Sequence, residues 1–206
     1  MSNWIIYSIG FIAQLLFSVR VLIQWVISER DKKVITPSLF WKFSLMGSVL
    51  MFVYGYLRTD FAIMLGQSIG YFVYIRNLHF QNEWQKLPKF LRILLLIFPV
   101  LIVIYYHNNN QFDIYELFHP EKIATWLLIW GTLAQIIFAF RFVYQWLYSE
   151  KKRESVLPYG FWILSLTGAL MILVYAVFRE DPVLFLGNIF TIFIYIRNLI
   201  LLKKEV

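Results

Sequence analysis

Seven long apolar runs divide the chain, at roughly residues 4–27, 38–57, 61–78, 89–106, 123–147, 159–178 and 183–202. Each comes close to the ~20 residues that an α-helix needs to cross a bilayer. The runs are unbroken and do not alternate apolar with polar residues, which favours helices over barrel strands. The pattern predicts an all-α integral membrane protein of seven spans. An odd number puts the two chain ends on opposite sides.

Composition sharpens this picture. By length alone, 206 residues suit one or two soluble domains. Yet 60% of residues are hydrophobic, 20% aromatic and only 15% charged, against ~25% charged in a soluble domain. Such a chain lacks the polar groups to cover a globule, so lipid is the expected solvent for much of it. There are no cysteines, which excludes disulfides, thiolate metal sites and cysteine nucleophiles. His79, His107 and His119 all fall between the apolar runs, so no metal site is expected within the membrane. The start, Met1-Ser2-Asn3, carries no basic residue, and the first apolar run is longer than a signal-peptide core.

The net charge of +7 is unevenly placed. Connectors on one side carry Arg30, Lys32, Lys33, Lys86, Lys89, Arg92, Lys151, Lys152, Arg153, Lys203 and Lys204. The other side carries only Arg58, Lys122 and Arg179. Cytoplasmic loops collect Lys and Arg, so the N-terminus is expected outside and the C-terminus in the cytoplasm. This asymmetry explains the basic excess without a nucleic-acid partner.

The chain also repeats itself. Adding 121 to the residue number carries Gln14 onto Gln135, Phe17 onto Phe138, Arg20 onto Arg141, and Gln24-Trp25 onto Gln145-Trp146. Ser28-Glu29 falls on Ser149-Glu150, Pro37 on Pro158, and Phe40-Trp41 on Phe161-Trp162. Ser44, Gly47, Tyr54, Arg58, Asp60 and Gly66 all recur, and Tyr74-Ile75-Arg76-Asn77-Leu78 recurs as Tyr195-Ile196-Arg197-Asn198-Leu199. Agreement falls on polar, aromatic and glycine positions while the aliphatic ones vary, the reverse of what shared hydrophobicity would produce. A duplication follows. Residues 1–80 form a first three-helix repeat and 123–206 a second. Between them, residues 81–122 carry one extra span, about 89–106, which restores the direction of the second copy. Parallel repeats of this kind occur in SWEET sugar exporters.

Each copy resembles the lipid A biosynthesis N-terminal domain, a family related to the PQ-loop and SWEET transporters. The residues that carry the resemblance are Arg20, Gln24-Trp25, Ser28-Glu29, Pro37, Phe40-Trp41, Ser44, Gly47 and Tyr74-x-Arg76-Asn77-Leu78, with their second-copy counterparts. The resemblance implies a tandem, SWEET-like 3+1+3 bundle in a bacterial inner membrane and a link to the lipid A or envelope-glycan pathway. The family takes its name from a domain attached to some lipid A disaccharide synthases. No glycosyltransferase domain accompanies it in these residues, so that activity is not implied.

Five basic residues lie within the spans: Arg20, Lys42, Arg76, Arg141 and Arg197. All twelve acids lie in connectors or at span ends. Intramembrane charge is costly and marks pathways or sites. Cations without internal carboxylates suit a phosphate or pyrophosphate, whose oxygens take paired hydrogen bonds from guanidinium. Arg20 lies roughly 12 Å deep by helical rise. It shares a face with Gln14, Phe17 and Gln24, and Arg141 shares one with Gln135, Phe138 and Gln145. The competing account of each arginine is snorkelling to the headgroups, which weighs more for Arg76 and Arg197 and leads for Lys42. Asn77 and Asn198 either bond across helices or line a cavity.

Pro37 and Pro158 start helices or act as hinges. Asp60 and Asp181 cap helices beside a local Arg58 or Arg179 partner, or close an outer gate. Trp25, Trp41, Trp146 and Trp162 are expected in an interfacial belt.

The leading expectation is a transporter or flippase for an anionic lipid-linked saccharide or phosphate-bearing glycolipid, such as a polyprenyl-phosphate sugar. Arg20, Gln24, Arg76, Asn77, Arg141, Gln145, Arg197 and Asn198 would bind it. Asp60, Asp181, Pro37 and Pro158 would gate it. The alternatives are a non-catalytic module docking a glycosyltransferase or lipid A disaccharide synthase, and a transporter of a small soluble sugar. No nucleophile–base pair or metal cluster points to catalysis, and no cofactor is called for. With both repeats in one chain, a monomer suffices.

Overall fold

The computed structural model describes residues 3–58, 60–108 and 124–204, with the backbone alone of residues 3, 61, 62, 69, 99–108 and 204. His119, Lys122 and the boundary placed at 122–123 lie outside the described residues, as does the side chain of His107.

Seven α-helices lie among the described residues: α1 (Asn3–Asp31), α2 (Ser38–Leu57), α3 (Phe61–Phe80), α4 (Lys89–Asn108), α5 (Thr125–Lys152), α6 (Tyr159–Phe178) and α7 (Pro182–Lys204). A single 3₁₀ turn, Trp84–Lys86, precedes α4, and no strand occurs among the described residues. Five helices, α1, α2, α5, α6 and α7, are long and apolar enough to cross a membrane. Their outward faces carry Leu15, Val26, Phe140, Leu147 and Phe193, each more than half or nearly half exposed. An aqueous surface does not tolerate so broad an apolar patch.

The helices begin and end as their sequences dictate. Pro37 and Pro158 hold extended backbone (φ −69° and −74°) just before α2 and α6, so each stands at the cap position rather than inside the first turn. Asp60 caps α3 by accepting from the Ile63 N–H. Asp181 does the same for α7 from Val183 and Leu184. α1 and α5 end at equivalent residues, Lys32 and Arg153, both left-handed (φ 53° and 58°). Ser28 and Ser149 then take the backbone N–H of Ile35 and Val156, which folds each connector back onto its helix.

Packing closes a ring. α2 packs between α1 and α3, and α6 between α5 and α7. The halves meet twice, α3 against α5 and α1 against α7. Along these seams residue numbers rise together: Gly66 faces Gln135 and Asn77 faces Gln145, while Gly187 faces Gln14 and Asn198 faces Gln24. So α1, α3, α5 and α7 all point one way, towards the end that carries Lys32, Lys33 and Lys151–Arg153. α4 lies outside the ring, where Leu87 and Leu95 pack on the core and the Tyr71 hydroxyl donates to the Leu95 carbonyl at 2.7 Å.

An aromatic core fills the basic half of the ring. Tyr74 meets Phe142 edge-on at 4.7 Å between centroids, and Trp41 and Trp162 pack on Tyr74 and Tyr195 at 6.2 and 6.0 Å. This corrects the interfacial expectation for Trp41 and Trp162, which are wholly buried. Both follow a Phe on the inward face of α2 or α6, and edge-to-face pairs with that Phe hold them inside.

Candidate functional site

The ring encloses a cavity of about 50 Å³ between the two halves. Both halves contribute equivalent residues to its wall, Gln14, Arg20 and Tyr74 from one, Gln135, Arg141 and Tyr195 from the other. Arg20 and Arg141 are 3% and 2% exposed, so neither snorkels. Among the described residues, no carboxylate lines the cavity and neither arginine has an ion-pair partner. Buried charge left in this state is expensive, because desolvation is uncompensated by an opposite charge.

Aromatic rings soften that cost. The Arg20 guanidinium stands 4.4 Å from the Phe17 ring centroid and 5.5 Å from that of Phe142. Arg141 lies against Phe138 and 4.4 Å from Phe142. Such contacts are worth ~2 kcal/mol or more when desolvated. Glycines make room for the rings, since a Cβ at Gly47 would strike Phe17 and one at Gly168 would strike Phe138.

The two arginines are not equally satisfied. Arg20 Nη1 donates to Ser44 Oγ at 2.6 Å. Ser44 and the equivalent Ser165 each donate to the carbonyl one turn earlier, of Phe40 and Phe161, but Arg141 Nε and Nη1 remain buried without a partner among the described residues. Arg20 keeps one unpaired buried nitrogen, Nε.

Bonds between the halves lie towards both ends of the ring. At the basic end, Gln145 and Asn77 exchange two hydrogen bonds at 2.9 and 3.0 Å. Gln24 donates to Asn198 at 3.1 Å. Beyond them, Arg76 pairs with Glu150 at 2.6 Å and Arg197 with Glu29 at 2.8 Å. At the far end, the Tyr54 hydroxyl donates to Asp181 and the Tyr175 hydroxyl to Asp60, each at 2.9 Å.

Several expectations need correction. Arg76 and Arg197 are not free cations, because packing brings the end carboxylates Glu150 and Glu29 against them. Gln24, Gln145, Asn77 and Asn198 are not among the residues that line the cavity; they bond across helices beside it. Arg58 and Arg179 also reach across the bundle. They approach Asp181 and Asp60 of the opposite half, at 3.6 Å each. Lys42 does reach the basic end, where it meets Glu83 at 2.6 Å. With Lys86 on its other side, the Glu83 carboxyl is held below its usual range by these two ammonium groups.

Sequence reasoning left out Tyr54, Tyr175, Glu29 and Glu150 as site residues. The signal was present, since each pair recurs at the 121-residue offset. No group of three or more metal-ligating side chains lies among the described residues.

The architecture defines a class: a pseudo-symmetric helical bundle of membrane type, with a cationic cavity between two halves. The model of the family described as Lipid A Biosynthesis N-terminal domain matches residues 9–79 and 130–200, and the chain belongs to that family. It is 32% identical to a lipid-A-disaccharide synthase of Chlamydia pneumoniae over 98% of this chain and 34% of the relative. A lipid-A-disaccharide synthase of Chlamydia abortus is also 32% identical, over 98% and 34%. One of Chlamydia felis is 29% identical over the same shares. The chain thus spans about a third of the length of the curated relatives it matches. No solved structure matches it.

Proposed function

We propose that the protein is a transporter or flippase for an anionic lipid-linked saccharide or a phosphate-bearing glycolipid. The observation that carries this reading is a pair of buried, carboxylate-free guanidiniums facing one cavity between two related halves. A phosphate would supply the missing charge and fill the unused N–H positions.

In this reading the chain crosses the bacterial inner membrane seven times, in a 3+1+3 arrangement like that of the SWEET and PQ-loop transporters. Residues 1–80 and 123–206 form the repeats and 81–122 the link. The parallel course of α3 and α5 supports this, because a chain leaving α3 must cross once before starting α5. At ~1.5 Å per residue, α4 with its 20 residues is long enough to do so. The basic connectors face the cytoplasm. Arg20 and Arg141 hold the phosphate. Gln24, Gln145, Asn77, Asn198, Arg76 and Arg197 act in the inner closure, while Asp60 and Asp181 act in the outer one, with Pro37 and Pro158 as the hinge points of α2 and α6.

The cavity of about 50 Å³ has room for only a few waters or one small anionic group. A saccharide needs more room than this form offers, and it enters when one end opens further. Rocking of two repeats about a fixed midplane site provides that opening.

Proteoliposomes holding the full chain test the reading. Translocation of a phosphopolyprenyl sugar or a lipid A precursor, lost in the R20A/R141A double variant, is the expected result. No translocation of any of these cargoes would overturn it. A second reading has its own support: the curated relatives join this region to the rest of a lipid-A-disaccharide synthase. A module that docks such an enzyme would co-purify with it and keep full function in the R20A/R141A variant.

A further inference from the structure

The cavity wall is chemically ordered along the bundle axis. Gln14 and Gln135 stand six positions before Arg20 and Arg141 on parallel helices, which places them ~9 Å nearer the far end. Both line the cavity. Neither amide has a hydrogen-bond partner among the described residues, although Gln135 is only 4% exposed. Neither amide is among the atoms sealed away without a partner, so both open on cavity space where a ligand or water can bond them.

Their placement is also built. A Cβ on Gly66 would strike the amide oxygen of Gln135, and one on Gly187 that of Gln14. The glycines of the facing helices are what admit these side chains.

We infer that the cavity recognises a glycosyl phosphate in one orientation, with its phosphate at Arg20 and Arg141 and its sugar hydroxyls at Gln14 and Gln135. The inference rests on the anion site proposed above and adds the second pole and the direction. Amides offer both donors and acceptors, which suits hydroxyls, whereas a fully ionised anion can use only the donors. Thr191, also on the wall, donates to the Gly187 carbonyl and so presents only acceptor capacity to a hydroxyl. Because both poles sit on α1 and α5, their separation is fixed by helix geometry and survives opening of either end. The sugar accordingly faces the far end and the phosphate the basic end.

Binding to the full chain in nanodiscs tests this with four probes: inorganic phosphate, a neutral hexose, a hexose 1-phosphate and a short-chain prenyl-phosphate hexose. We expect hexose 1-phosphate to bind about tenfold or more tighter than phosphate, as two to four new hydrogen bonds allow, and the neutral hexose to bind unmeasurably. In the Q14A/Q135A variant that margin disappears while phosphate affinity stays within about twofold. G187A, which displaces Gln14 without removing it, reduces the margin by a second route. Tighter binding of the prenyl compound assigns a lipid-linked source, and equal binding a soluble one; both uphold the orientation.

Phosphate binding with no sugar advantage, or glutamine variants that weaken both anions alike, overturns the inference and leaves the anion site standing. Absence of binding by every phosphate probe overturns both.

Discussion

Tyr54 donates to Asp181 at 2.9 Å, and the two residues belong to different repeats. Tyr175 and Asp60 mirror them. Each tyrosine ring lies over a glycine of its own repeat, Tyr54 on Gly10 and Tyr175 on Gly131, where a Cβ would strike it. The far end thus holds two tyrosine–aspartate pairs related by the 121-residue spacing, with Arg58 and Arg179 beside the same aspartates. Both carboxylates are buried, and each tyrosine supplies one of the bonds that hold them.

Removing those hydroxyls is expected to loosen the far end. The Y54F/Y175F variant should fold but lose roughly 1–3 kcal/mol of stability per orphaned carboxylate bond. The chain has no cysteines, so a single cysteine placed at Thr191 reports access to the cavity. Labelling by a membrane-impermeant thiol reagent from the far side should rise in the variant. Unchanged labelling would show that this cluster is not a gate.

At the basic end the ion pairs are partly exposed, and such pairs contribute ~0–1 kcal/mol. Their effect should be on access more than on stability. E29R alone places two cations together and is expected to raise cavity labelling from the basic side. The swap E29R/R197E should return it towards the parent level, with thermal stability little changed throughout. Failure of the swap to restore closure would detach this pair from gating.

How much of this was legible in the sequence differs by element. The seven helices were, because each apolar run is unbroken and bounded by Pro, Asp or basic residues. α1 and α5 extend further than hydropathy suggests, to Asp31 and Lys152, since their polar last turns still form helix above the apolar stretch. The inward course of Arg20 and Arg141 was legible from the glutamines on the same faces. The partners of Arg76 and Arg197 were not. Glu150 is 74 positions from Arg76 and Glu29 is 168 from Arg197, and only the packing of one repeat on the other brings them together. The same holds for Trp41 and Trp162, whose burial depends on the rings of neighbouring helices.

The unequal surroundings of the two cavity arginines lead to a prediction about anions. Arg141 has two unpaired buried nitrogens, whereas Arg20 spends one bond on Ser44. A phosphate therefore gains more from Arg141. R141Q is expected to weaken phosphate binding about 10–100-fold, as loss of charge-assisted bonds worth ~1.5–3 kcal/mol implies. R20Q should cost measurably less, and titration of both variants with inorganic phosphate decides it. A larger effect at Arg20 would contradict the asymmetry.

The two seams at the basic end are also unequal, and this bears on stability. Asn77 exchanges two bonds with Gln145 and accepts a third from Ser155, which in turn takes the Trp41 indole N–H. Asn198 accepts a single bond from Gln24, whose own carbonyl oxygen is buried without a partner. Replacing Asn77 leaves the Gln145 carbonyl oxygen without its donor and the Ser155 hydroxyl without its acceptor, although Gln145 Nε2 keeps Ser149 and the Val156 carbonyl, while replacing Asn198 leaves Gln24 Nε2 still bonded to Ser28. N77A should cost about 2–4 kcal/mol and N198A about 1 kcal/mol, by the general cost of unmade buried hydrogen bonds. Thermal unfolding in one detergent compares them directly. The α1–α7 seam is then the weaker of the two, so N198A should raise cavity labelling from the basic end at a stability close to that of the parent. Equal losses from the two variants would mean that the reciprocal Asn77–Gln145 pair adds nothing to the α3–α5 seam beyond what one bond provides.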